Sequence, residues 1–145
     1  MSQAESTMTR DVVYVPPELS LTLAWNILQR WRIRHLPVVS GGVLRGILSD
    51  RDVLLRATAS PDGTIHVPEM PVALAMTPQP ITCRPSTPIA DVARTMIEHK
   101  IDSVVVVDGN GGLAGLVTAT DLLMLLLAGD PQRRLPYDFV IRGAG

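Results

Sequence analysis

The chain has 145 residues, 46% of them hydrophobic and 19% charged, enough for a core of its own as one compact domain or two very small ones and too apolar for disorder. Thirteen Lys and Arg against 14 Asp and Glu leave a formal charge of −1, so there is no broad basic field for a nucleic-acid backbone or an anionic membrane. The longest apolar run, Leu122 to Ala128, is seven residues where a spanning helix needs about 20, and MSQAESTMTR holds no apolar signal core; a soluble, cytoplasmic protein is expected.

The sequence repeats itself. Sliding it by 68 residues sets Met8-Thr9 on Met76-Thr77, Pro17 on Pro85, Leu28 on Met96, Ile33 on Ile101 and Val38-Val39 on Val106-Val107. After the turns at Gly41-Gly42 and Gly109 to Gly111 the offset becomes 69, and Leu44 meets Leu113, Gly46 meets Gly115 and Asp52 meets Asp121. An extra residue confined to a turn is where an insertion costs least.

In chain order, Val12 to Val15 predicts a short extended entry before a proline. Leu21, Ala24, Ile27, Leu28 and Trp31 recur at spacings of three and four, one apolar face of a helix. Trp25 and Trp31 cannot share its centre line, so one is expected in the core and the other half-exposed at a subunit contact. Leu36 to Val39 and Val43 to Leu48, joined by a Gly-rich turn, predict a hairpin, and a closing helix starts near Asp52. Thr58 to Pro71 carries loop residues, Ser60-Pro61-Asp62-Gly63 and two more prolines, so residues 59–75 read as an inter-repeat linker with a short helix.

The second copy repeats the series. Ile81 to Cys83 is its entry, with Cys83 expected to be buried filler. Ile89, Val92, Ala93, Met96 and Ile97 predict its helix face, and Val104 to Val107 with Leu113 to Thr118 its hairpin, four valines in a row implying a strand covered on both sides. The run Leu122 to Leu127 predicts the more buried of the two closing helices. Repeat 1 is thus placed at 8–58, repeat 2 at 76–128 and a tail at 129–145, whose Tyr137, Phe139, Val140 and Ile141 either dock or hang free.

The chemistry concentrates in Gly, two apolar residues, Ser or Thr, two residues, Asp: Gly46 to Asp52 and Gly115 to Asp121, each where a strand gives way to a helix. Free N–H groups at a helix start favour a phosphate, and the hydroxyl of Ser49 or Thr118 adds a hydrogen-bonding group. Asp52 or Asp121 can accept two hydrogen bonds from vicinal hydroxyls such as those of a ribose. The competing reading is a helix capping box, although the reach back is usually made by Glu or Gln and the upstream Gly suits close approach of a ligand. Arg34 and His35 stand before the inner strand of the first copy, where the second has Asp102 and Ser103.

With Ile33-Arg34-His35-Leu36-Pro37-Val38-Val39, Gly46 to Val53, Ile101 to Asp108 and Gly115 to Leu122 duplicated in order over residues 8 to 128, the sequence resembles the cystathionine β-synthase domain (CBS domain) family, whose tandem pairs form a Bateman module. The resemblance implies an α+β fold of two pseudo-symmetric β-α-β-β-α repeats with sheets packed face to face. It implies an adenine nucleotide (AMP, ADP or ATP) in the cleft between repeats: ribose on Asp52 or Asp121, phosphate near Ser49 or Thr118 and beside Arg34 and His35, adenine against the entry segments at Val13 and Ile81. Asp102 departs from that pattern and weakens the second phosphate site. A homodimer and a separate regulated protein are the expected partners, with no cofactor required. The alternatives are an interaction or dimerisation protein with no nucleotide, and a binder of another adenosyl compound such as S-adenosylmethionine or NAD, or of a metal. Sequence motifs for catalysis and metal ligation are absent, so no enzyme is expected.

Overall fold

The structure is a computed structural model and describes residues 2–129; the tail from Asp130 onward lies outside the described residues. In chain order the elements are α1 (Ala4–Thr7), α2 (Leu21–Trp31), β1 (His35–Ser40), β2 (Val43–Ser49), α3 (Asp50–Leu54), β3 (Thr58–Ala59), β4 (Ile65–His66), a 3-10 turn (Val72–Leu74), β5 (Thr77–Pro78), β6 (Thr82–Cys83), α4 (Ile89–His99), β7 (Ser103–Val107), β8 (Leu113–Thr118) and α5 (Ala119–Ala128). They form two compact units that interleave along the chain. Among the described residues the first unit consists of residues 2–11, 82–108 and 114–129, and the second of residues 12–81 and 109–113.

The second unit carries the first copy of the repeat. Its sheet runs β1-β2-β5. β1 and β2 are antiparallel from His35↔Ser49 to Ser40↔Val43 with a bulge between Val38 and Val39, and β5 adds Gly46↔Pro78 and Ile47↔Thr77. Gly41 and Gly42, both at positive φ (60° and 73°), make the tight turn between β1 and β2. Of the predicted entry only Val15 pairs, through a parallel bridge to Val38. Leu21, Ala24 and Leu28 of α2 join Leu36, Val38, Leu48, Val53 and Val72 in the core, with Trp25 packed at its edge and Trp31 40% exposed. The loop-rich stretch after α3 is organised as the small hairpin β3-β4, closed by an Asp62 side chain that accepts the Thr64 N–H at 2.9 Å.

The first unit carries the second copy, with sheet order β6-β7-β8 and β6 parallel to β7. Val104 to Val107 are all buried, as a doubly covered strand requires. Two expectations are corrected. Ile97, predicted on the core face of α4, is 77% exposed, because the buried stripe of that helix is only Val92 and Met96. The run Leu122 to Leu127 forms no buried helix: no residue of α5 is buried, whereas α3 buries Val53 completely. A helix apolar all round needs cover on every side, and within its unit α5 packs chiefly on α4 and α1, with Ala119 and Leu122 resting at the edge of the core.

Two eight-residue segments hold equivalent places. In the second unit the Leu21 N–H donates to Met70 O (2.7 Å), Val72 N–H to Leu19 O (2.8 Å) and Ala73 N–H to Pro17 O (3.0 Å), and Thr77 pairs with Ile47. In the first unit the Ile89 N–H donates to Ser2 O (2.9 Å), Ala4 N–H to Thr87 O (2.8 Å) and Glu5 N–H to Pro85 O (2.9 Å), and Thr9 and Leu116 exchange both backbone bonds (2.8 and 3.0 Å). Residues 2–9 therefore complete the unit that holds the second copy, as residues 70–77 complete the unit that holds the first.

Candidate functional site

β2 delivers Ser49 into the N-cap position of α3 in extended conformation (φ −103°, ψ 161°). The Asp52 N–H donates to Ser49 Oγ at 3.0 Å, and the Ser49 N–H donates to Asp52 Oδ2 at 2.9 Å. In the other unit the Asp121 N–H donates to Thr118 Oγ1 at 3.2 Å and the Thr118 N–H to Asp121 Oδ2 at 2.8 Å. Both are complete capping boxes, made by Asp despite its shorter reach than Glu or Gln. All four side chains are half-buried. Each box uses one carboxylate oxygen and the hydroxyl as acceptor, leaving the hydroxyl proton and the second carboxylate oxygen, Oδ1, for a further partner.

Register and backbone bonding bring Arg34 and His35 to the Ser49 corner. His35 is the strand partner of Ser49, and the Asp50 N–H donates to Arg34 O at 2.9 Å. The Arg34 side chain, 68% exposed, approaches Asp50 Oδ2 with its Nε at 3.4 Å, while Asp50 Oδ1 accepts the Arg51 N–H at 2.8 Å. Asp50 thus belongs to the corner, a role its place in Ser49-Asp50-Arg51-Asp52 did not reveal because an ion pair across 16 residues has no local signature. In the other unit the Ala119 N–H donates to Asp102 O at 2.8 Å, so Asp102 stands where Arg34 does and Ala119 where Asp50 does. Val13 packs against the core of the second unit, and Ile81 is half-buried in that same unit.

The glycines have a different task from the one expected. A Cβ on Gly46 would lie 2.6 Å from Met76 Sδ and 2.7 Å from the Thr77 carbonyl oxygen; on Gly115 it would lie 2.5 Å from Met8 Sδ and 2.8 Å from the Thr9 carbonyl oxygen. The space opposite each glycine is filled by the chain's own Met-Thr segment rather than left for a ligand. The repeated Met-Thr pairs and the repeated glycines were both visible in the sequence; that they face each other was not, since pairing between distant strands leaves no short-range pattern.

Cys83 is half-buried; burial pushes its thiol pKa up, opposed by a hydrogen bond from the Thr87 side chain. Among the described residues no cluster of three or more His, Cys, Asp or Glu is placed to hold a metal, and no helix is long and apolar enough to cross a membrane.

The CBS domain family model matches residues 4–58 and 72–128. CBS domain-containing protein YhcV of Bacillus subtilis is 34% identical over 123 residues, covering 84% of each chain. An inosine-5'-monophosphate dehydrogenase of Korarchaeum cryptofilum is 35% identical over 122 residues, and the match spans 84% of this chain but only 24% of that enzyme's length. Among solved structures, CBSX2 of Arabidopsis thaliana in complex with AMP superposes with a TM-score of 0.77 at 27% identity, covering 88% of this chain and 98% of that one. The CBS domain pair of protein MJ0100, in complex with 5'-methylthioadenosine and S-adenosyl-L-methionine, gives 0.76 at 25% identity, with 90% and 99% covered. The chain belongs to the CBS domain family, and its mixed helix and strand fold is that of a CBS domain pair.

Proposed function

We propose that this protein is a ligand-sensing regulatory module that binds an adenosine-containing molecule at its Ser/Thr-x-x-Asp corners and passes the occupancy to a partner. The observation that carries the reading is the pair of capping boxes, each holding a hydroxyl and a carboxylate in fixed orientation with one donor and one acceptor to spare. The ligands named with two similar structures, AMP on one hand and methylthioadenosine with S-adenosylmethionine on the other, share adenosine and differ in what hangs from it. Ribose recognition by Asp52 or Asp121 is common to all of them. In this reading Ser49, Asp52, Arg34, His35 and Val13 serve the first site, and Thr118, Asp121 and Ile81 the second, with AMP, ADP or ATP as ligand. The repeats 8–58 and 76–128, joined by 59–75, are the units of duplication.

The module acts by binding rather than by catalysis. Occupancy shifts a conformational or assembly equilibrium by the difference in affinity between two states. We propose pairing with a second copy in the cytoplasm and a separate regulated protein as the recipient.

Calorimetry and thermal shift with AMP, ATP, methylthioadenosine and S-adenosylmethionine test this, since ligand binding to the native state raises stability by RT ln(1 + [L]/Kd). The first corner has Arg34, His35 and Arg51 where the second has Asp102, Ser103 and Thr120. A charge-assisted hydrogen bond is worth about 1.5 to 3 kcal/mol, so Asp52→Ala is expected to remove most AMP or ATP binding and Asp121→Ala to leave the tighter site almost intact. No response to any of the four ligands at millimolar concentration refutes the function; an equal or larger loss with Asp121→Ala refutes the ranking.

A further inference from the structure

Residues 2–9 and 70–77 make the same backbone bonds but are anchored unequally. Segment 70–77 sets four apolar side chains, Met70, Val72, Ala75 and Met76, on the core of its unit. Segment 2–9 sets only Ala4 and Met8 on its own core. Ser2, exposed, stands where the other segment has Met70, and Ala4 where it has Val72. Thr7 stands where it has Ala75, and Thr7 Oγ1 is buried without a hydrogen-bond partner among the described residues.

We infer that residues 2–9 are a releasable strap, which opens as a body while the rest of its unit and segment 70–77 stay folded. The valine-to-alanine difference at the buried anchor and the unpaired hydroxyl each move an opening equilibrium by roughly tenfold or more. Together they make the strap open about a hundredfold more often than its counterpart. Opening has a defined structural consequence. Thr9 is the backbone partner of Leu116 on β8, two residues before the cap Thr118, and Met8 fills the cradle over Gly115. Release therefore strips the Thr9 bridge from the edge of β8 and removes support from the Thr118–Asp121 corner, while the Ser49–Asp52 corner keeps its own. That regulatory consequence rests on the ligand reading above; the opening itself does not.

Amide hydrogen exchange by NMR on the full chain, without any ligand, tests the opening. The amides to compare are Ala4 with Val72, Glu5 with Ala73 and Met8 with Met76, which have matching acceptors in the two units. About a hundredfold lower protection in the first member of each pair is expected, and protection within threefold overturns the proposal. In Thr7→Ala, where the buried hydroxyl is gone, protection of Ala4, Glu5 and Met8 is expected to rise about tenfold with Val72, Ala73 and Met76 unchanged. Unchanged or lower protection of the strap in that variant overturns the proposal, because simple fraying would not respond to a buried hydroxyl.

Discussion

Gly46→Ala probes the seating of residues 76 and 77 directly. The added Cβ would lie 2.6 Å from Met76 Sδ and 2.7 Å from the Thr77 carbonyl oxygen. The thioether can swing away on its flexible side chain. The carbonyl cannot, because Thr77 is held in the ladder opposite Ile47. A carbon and a carbonyl oxygen settle at about 3.3 Å or more, so the edge strand must retreat by about half an ångström and lengthen its ladder bonds. Overpacking of this kind costs about 1 to 3 kcal/mol.

The chain supplies its own reporter. Both tryptophans, Trp25 and Trp31, lie on α2 in the second unit, so their fluorescence follows the unit that contains Gly46. Urea unfolding read by Trp emission is expected to show Gly46→Ala less stable by about 1 to 3 kcal/mol with an unchanged slope. Gly115→Ala meets Met8 and Thr9 in the same way, but its cost is capped by the free energy of releasing the strap and is expected to be smaller. A loss below about 0.5 kcal/mol for Gly46→Ala, the range of neutral surface changes, refutes the argument that the glycine exists to admit the Met-Thr segment.

Cys83 should be a sluggish thiol: burial raises its pKa above the ordinary 9.0, so at pH 8 labelling by a thiol reagent is expected to be slower than that of a free cysteine, and equal or faster labelling contradicts the assignment. The sign for stability follows from the folded protein keeping this proton to higher pH than the unfolded chain: the contribution is present below pH 9.0 and is lost as pH rises through the folded value. Ile97, 77% exposed, and Leu126, 72% exposed, belong to helix surfaces expected to pair with a second copy. Sedimentation at tens of micromolar should show a dimer that Leu126→Glu weakens, and a wild-type monomer with and without nucleotide refutes the pairing.

What the sequence showed of the fold was what period and duplication can carry. The helix faces from Leu21 and from Ile89 and both hairpins are local patterns written twice, and the four-valine strand is a local pattern of the second copy. The segments 2–9 and 70–77 were invisible as structural parts because their bonds run to Leu116, Thr87, Leu19 and Ile47, across separations that no periodicity spans. Burial was legible only where neighbours were. Leu122 to Leu127 looked like core by composition, yet composition counts apolar side chains and not the surfaces available to cover them.

The corners posed a different difficulty. A helix cap and a ribose clamp call for the same groups at the same spacing, a hydroxyl at the N-cap and a carboxylate three residues on, so the motif alone could not choose between them. The geometry removes the need to choose. Asp52 Oδ2 and the Ser49 oxygen are bound to the backbone at 2.9 and 3.0 Å, which fixes both side chains before any ligand arrives. A side chain already ordered by one bond loses little further freedom in making a second, and pre-ordering of this kind improves affinity without a new contact. The cap is therefore the preorganising half of the proposed site, and Oδ1 with the hydroxyl proton is the recognising half. On this account the duplication of the box explains why two corners are equally well shaped, and only what surrounds them, Arg34 with Asp50 in one and Asp102 with Ala119 in the other, remains to make them differ in the charge of the ligand they hold.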